Sequence, residues 1–216
     1  VAHLNHGLRG VDAEADAEYV SELARSLNLP VTIERYDVAT FRSKAHLSLE
    51  EAAREVRYNY FAKVAKQAGA SRVAVGHTAD DQVETILLHL VRGTGVRGLQ
   101  GMTPVSKWHS KSSALILVVR PMLEISRQET VAYCQEHGLS PRMDVSNYSP
   151  AFLRNRIRSI LPQLESLNPA IRKAFLRLGK AANETVELLD SEVAQVWPHI
   201  ITQQGKTSIR LDKKQL

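Results

Sequence analysis

Short apolar runs alternating with stretches of helical spacing set the tightest limit on what this chain can fold into. VAHL (Val1–Leu4), VTIERYDV (Val31–Val38), RVAVGH (Arg72–His77) and ALILVVRP (Ala114–Pro121) have the length and branched content of buried strands. Between them, Ala17, Val20, Leu23, Ala24 and Leu27 repeat at helical spacing, as do Ala52, Ala53, Val56, Tyr60 and Val64, and Val83, Ile86, Leu87, Leu90 and Val91. Strand and helix taking turns imply βαβ units, an α/β fold whose parallel sheet carries helices on both faces. Three pairs have the spacing of capping boxes: Ser48 with Glu51, Thr78 with Asp81, and Ser126 with Glu129. Gly69, Gly93 and Gly138 are suitable stops. The polar stretch SKWHSKSS reads as an exposed loop. Ser149-Pro150 and Asn168-Pro169 each open a helical pattern, the second running to about Val196 as a bridge between domains. TSIRLDKKQL then reads as the first strand of a further domain.

With 216 residues and 44% hydrophobic content the chain can bury a large core. Its formal net charge of +5 suits a phosphate-rich partner without requiring one. The single cysteine, Cys134, excludes an internal disulfide framework and any Cys-x-x-Cys site within these residues, and points to a reducing, cytoplasmic setting. No apolar run approaches the ~18 residues of a membrane span.

Four constellations could carry chemistry. His77, Asp80, Asp81, Glu84 and Arg92 lie where a strand becomes a helix, and the carboxyl ends of strands are where open α/β sheets bind ligands. One aspartate there is explained by the helix dipole. Two, with His77 before them and Glu84 after, make a denser acidic set, able to share a magnesium ion with substrate phosphates. RGTGVRGLQGM (Arg92–Met102) combines four glycines with two arginines, either an anion-binding loop or an ordinary helix end. NHGLRG places His6 and Arg9 after another strand, as many βα turns do. DVSNYSPAFLRNRIR (Asp144–Arg158) sets Arg154 and Arg158 on one helical face, continuing loosely into Arg172, Lys173, Arg177 and Lys180. That face is either a solvated basic surface or a track for RNA phosphates.

Together HLNHGLRG, SLEEAAREVRY, GHTADDQVETILLHLVRGTGVRGLQGM, RPML, DVSN and RNRIRSILPQLESLNP resemble, in order and wording, the tRNA(Ile)-lysidine synthetases, members of the N-type ATP pyrophosphatase or PP-loop family. The resemblance covers Val1 to Pro169. It implies a Rossmann-like, adenine nucleotide alpha-hydrolase-like sheet and an enzyme that adenylates the wobble cytidine of tRNA(Ile) bearing a CAU anticodon. The ε-amine of L-lysine then displaces AMP. ATP and Mg2+ are the implied cofactors. Asp80 and Asp81 match the acidic pair of an HxxDDxxET motif, one or both holding the metal or orienting the lysine amine, and Arg92 matches an arginine that stabilises developing charge. Ala2, His3 and His77 fall on the ATP side. His6, Arg9, Glu84, Asp144, Asn147, Arg154, Asn155 and Arg158 fall on the lysine and tRNA side. The implied division is a pyrophosphatase domain over 1–165, a helical linker over 166–200 and the start of a substrate-binding domain over 201–216, with a homodimer among the assemblies open to it. A tRNA thiolase with the same ATP chemistry and a non-catalytic tRNA-binding module are the rival readings.

The family's phosphate-binding SGGxDS loop, which precedes the strand equivalent to VAHL, is absent from these residues, and with it the first strand. The strands VAHL and RVAVGH are therefore expected to lose a shared neighbour, leaving the sheet gapped and the isolated chain prone to unfold or aggregate. A thermal melt followed together with ATP binding tests this: a broad or irreversible transition with weak ATP binding is expected, and a cooperative transition with tight binding contradicts it.

Overall fold

A computed structural model describes residues 1–109, 115–142, 153–205 and 208–212. The expected α/β organisation is present, with its strands in separate groups. β1 (Ala2–Asn5) pairs in parallel with β2 (Thr32–Arg35), Ala2 opposite Thr32. β3 (Arg72–Ala74) pairs in parallel with β5 (Leu115–Val119), which also takes β4 (Val105–His109) as an antiparallel edge. Between the strands run α1 (Val11–Ser26), α2 (Val38–Ala45) and α3 (Leu49–Gln67). Contacts divide the chain into two compact units: Val1–Ala79 with Thr103–Asn155, and Asp80–Met102 with Arg156–Leu216.

In the first unit, α3 serves both strand groups. Ala52, Val56 and Tyr60 pack with Leu4 of β1 and with Val38. Tyr58, Ala62 and Ala65 pack with Ile116 and Val118 of β5. Tyr58 stacks on Trp108 of β4, ring centroids 4.8 Å apart, and the Arg54 guanidinium sits over the Tyr58 ring at 4.8 Å. The Tyr60 hydroxyl donates to the Thr32 carbonyl at 2.6 Å, tying the helix to β2. At the end of β5 the buried Arg120 donates to the Thr103 carbonyl at 2.7 Å and the Ser106 hydroxyl at 3.0 Å, fixing the start of β4.

The capping boxes expected at Ser48–Glu51 and Ser126–Glu129 are both formed, the second opening α6 (Arg127–Glu136). Two expectations are corrected. SKWHSKSS is not simply a loop: Val105–His109 is a strand with Ser106 and Trp108 turned inward, an edge whose period-two pattern is disguised by polar residues on both faces. The run VTIERYDV stops being a strand at Arg35, because the Asp37 side chain accepts from the Thr40 backbone and starts α2, burying Val38 completely.

The second unit is mostly helical: α4 (Ala79–Arg92) from Asp80 on, α5 (Val96–Leu99), α7 (Leu153–Leu167) from Arg156 on and α8 (Ile171–Ile200), followed by a hairpin of β6 (Ile201–Gln204) and β7 (Ile209–Leu211). Its core joins Val83 and Leu87 of α4 to Ile157 and Leu161 of α7. Gly179 lets α8 approach closely: a Cβ there would lie 2.7 Å from the Ile86 side chain. The chain beyond Val196 remains helical to Ile200 and then pairs with the tail strand.

Since α3 is packed against strands on two faces, enlarging a small residue on either face should be costly. Ala62→Leu, at 1% exposure, is expected to destabilise the first unit by about 1–3 kcal/mol in a urea titration.

Candidate active site

The first turn of α4 carries Asp80 and Asp81, where carboxylates complement the helix dipole. Arg172 reaches Asp80 from α8: its Nη1 donates to Asp80 Oδ1 at 2.7 Å and its Nε to Glu165 Oε1 at 2.5 Å. A cation in the first turn of a helix opposes that helix's own dipole, so the position of Arg172 at the start of α8 is explained by these carboxylates and not by α8 itself. One turn along α4, Glu84 is only 3% exposed, and Arg158 of α7 grips it with a fork, Nε to Oε1 at 2.7 Å and Nη2 to Oε2 at 3.0 Å. Glu84 and Arg158, expected on the lysine and tRNA side as separate groups, are thus brought together as one pair.

Between these charged residues the buried Gln82 turns to the glycine-rich loop. Its Nε2 donates to the carbonyls of Gln100 and Met102 at 2.9 and 3.0 Å, and its Oε1 accepts from the Met102 backbone at 2.7 Å. Gly101 has φ +66°, and a Cβ there would lie 2.7 Å from Gln82 Oε1, so the close approach needs glycine. His89 Nδ1 meets the Gly98 carbonyl at 2.6 Å. Gly93 ends α4 at φ +75°. Arg92 is exposed at that end, and Arg97 forks onto Asp190 of α8.

In the first unit a second cluster gathers around the turn after β1. Ala2 and His3 lie on β1, half-buried, and His77 is half-buried beyond β3. The Asn5 side chain accepts from the Gly7 backbone at 2.9 Å and shapes the turn. Arg9 donates to Asp16 Oδ2 at 2.5 Å, and Arg142 to its Oδ1 at 2.6 Å. Burial pushes the Asp16 carboxyl up, but hydrogen bonds from Arg142 and Arg9 outweigh it and hold the group below its ordinary 3.8. Arg57 of α3 lays Nε and Nη2 on His6 Nε2, each at 3.3 Å. Burial, with Arg57, His3 and Arg9 adding like charge, lowers His6 from 6.5 to about 4. Burial likewise lowers His3. Arg154 and Asn155 are half-buried at the start of α7 and Arg156 is exposed; Asp144 and Asn147 lie outside the described residues.

Asp16, Arg57, Gln82 and Arg142 were not singled out from sequence, and Arg172 was noted only as part of a basic face. Their partners are 7 to 126 residues away, beyond any local spacing rule except for Arg9 with Asp16 and Glu165 with Arg172. Among the described residues no group of three or more His, Cys, Asp or Glu could hold a metal. Asp80 and Asp81 are neighbours on a helix, whose side chains diverge, and Asp80 already accepts from Arg172, so the pair is not a closed protein cage for a metal.

A family model described as a PP-loop domain matches residues 1–164. The chain belongs to the PP-loop family. It is 46% identical over 205 residues to the tRNA(Ile)-lysidine synthase of Dehalococcoides mccartyi (strain CBDB1), covering 94% of this chain and 44% of that protein. It is 39% identical to the synthase of Geobacter sulfurreducens over 98% of this chain and 44% of that one, and 33% identical to that of Bacillus subtilis (strain 168) over 100% and 45%. The chain therefore spans a little under half the length of these relatives. Among solved structures it resembles the U34-tRNA thiolase NcsA from Methanococcus maripaludis, with a TM-score of 0.65 and 15% identity over 85% of this chain and 60% of that one, a likeness of fold.

The buried fork generates a clear expectation. Arg158→Ala leaves Glu84 buried without its main cation and should cost about 3 kcal/mol in denaturant titration. The double variant Glu84→Leu, Arg158→Met should recover most of that loss.

Proposed function

We propose that this chain is the ATP-using part of an enzyme that joins lysine to C2 of the wobble cytidine of tRNA(Ile), through an adenylated tRNA intermediate. The observation that carries this reading is the 46% identity, sustained over 205 residues, to a protein named tRNA(Ile)-lysidine synthase. The PP-loop match over 1–164 supports ATP use. Under this reading 1–165 is the pyrophosphatase domain, 166–200 the linker and 201–216 the beginning of a substrate-binding domain. The reaction would take place in the cytoplasm, with a homodimer as its proposed assembly; no helix among the described residues is long and apolar enough to cross a membrane.

Adenylation is mainly a matter of placing two reactants and neutralising charge on the phosphates as pyrophosphate leaves. Asp80 and Asp81 would hold Mg2+, which supplies charge neutralisation at the phosphates, or orient the lysine ammonium. Arg172 would then set how much of Asp80's charge is available, since the two share a hydrogen bond. Arg92 would face developing negative charge. Ala2 and His3 would read adenine, with His77 beside them. His6, Arg9, Arg154 and Asn155, with Asp144 and Asn147, would serve lysine and the tRNA. Glu84 and Arg158 would contribute as a pair, each fixing the other.

Incorporation of radiolabelled lysine into minor tRNA(Ile) tests the reading, using this sequence extended upstream to include an SGGxDS loop. ATP-dependent incorporation, reduced at least ~100-fold by Asp81→Asn, is expected. Binding of that tRNA without any incorporation would instead mark a non-catalytic module.

A further inference from the structure

The turn after β1 holds an arrangement that ion pairing does not explain. Arg57 directs two N–H groups at a single ring nitrogen of His6, Nε2. A guanidinium can only donate, so Nε2 must carry the lone pair and the ring proton must sit on Nδ1. His6 Nδ1 is buried and has no hydrogen-bond partner among the described residues. A donor is therefore locked in place, out of water, and left without an acceptor. Buried donors are normally satisfied, and leaving one unmade costs free energy. The groups whose charge reaches this ring are cationic or histidine: Arg57 from α3, His3 from β1 and Arg9 from the turn itself. Arg154 adds positive charge near Arg57. Asp16 is already divided between Arg9 and Arg142, and Glu14 pairs with Arg35. Such surroundings favour an incoming anionic oxygen over any neutral acceptor.

We propose that His6, held by Arg57 as its Nδ1–H tautomer, donates a hydrogen bond to a phosphate oxygen of the substrate at the carboxyl end of β1, with Arg57 as its positioning residue. This rests on the nucleotide and tRNA reading above and narrows it, assigning one atom, one tautomer and one ligand chemistry. The phosphate can come from ATP or from the RNA backbone. The depressed titration of His6 has a purpose under this assignment: the ring stays neutral while it waits, and an arriving anion draws its pKa upward. Arg57 contributes twice, by selecting the tautomer and by adding positive charge beside it.

Long-range 1H–15N spectra of the histidine-labelled protein, extended upstream to include an SGGxDS loop, read the tautomer directly, with His6 assigned by the signal lost in His6→Asn. Expected is a protonated Nδ1 and a bare Nε2 from pH 8 down to the low titration of the group. In Arg57→Met the ring should return toward the ordinary tautomer mixture and its titration should rise by at least about one pH unit. ATP, inorganic pyrophosphate and an anticodon stem-loop RNA are then added separately. Response to ATP and pyrophosphate assigns the phosphate to the nucleotide, and response to the stem-loop alone assigns it to RNA. His6→Leu should weaken the responding ligand about tenfold, while His6→Asn, whose amide nitrogen replaces Nδ1, should restore binding to within about threefold. A protonated Nε2 in the unmodified chain, or a His6 signal unmoved by all three ligands, overturns the proposal. Lysine incorporation by the extended protein with an unresponsive His6 would refute this assignment alone; a responsive His6 without incorporation would refute the function and leave the phosphate contact standing.

Discussion

The first unit depends on a single helix facing two ways. α3 presents Ala52, Val56 and Tyr60 to the β1 side and Tyr58, Ala62 and Ala65 to the β5 side. β1 and β3 share no hydrogen bonds, so the continuity that one sheet would provide through its ladder is supplied here by side-chain packing on α3. Packing of this kind depends on shape and volume more than on direction. Small residues alternate with aromatic ones along α3 because two surfaces must both come close to its axis.

Charge is handled differently in the two units. Around α4 the carboxylates of Asp80 and Glu84 are matched by arginines brought from α7 and α8, giving a nearly balanced set. Around the turn after β1, Arg9 and Arg142 share Asp16, Arg57 lies on His6, and burial lowers the pKa of both His3 and His6. The proposed reaction would use both environments. Under that proposal the first would hold a cation or an amine and the second would receive phosphate.

Much of this was readable from sequence where the determinants are local. Ser48 and Glu51 announce α3, Ser126 and Glu129 announce α6, and Gly93 marks the end of α4, because caps and left-handed turns depend on neighbours within one helical turn. β4 escaped because an edge strand can be polar on both faces, and α2 because one aspartate, Asp37, converts an apolar run from strand to helix. The residues proposed for the site stand out in the sequence by type and motif, but their pairing does not. Glu84 meets Arg158 across 74 residues and Asp80 meets Arg172 across 92, separations at which spacing carries no information.

The clasp between Gln82 and the loop ending at Met102 also restricts how this sequence can drift. The Gln82 side chain satisfies three main-chain groups and occupies the space that a methyl on residue 101 would need. Neither position can be exchanged first without loss: a shorter residue at 82 strands two carbonyls and an amide, and any side chain at 101 collides with the amide already there. The two therefore form a locked pair in mutational space. Natural variants that alter one without the other should be rare, even though neither residue need touch a substrate.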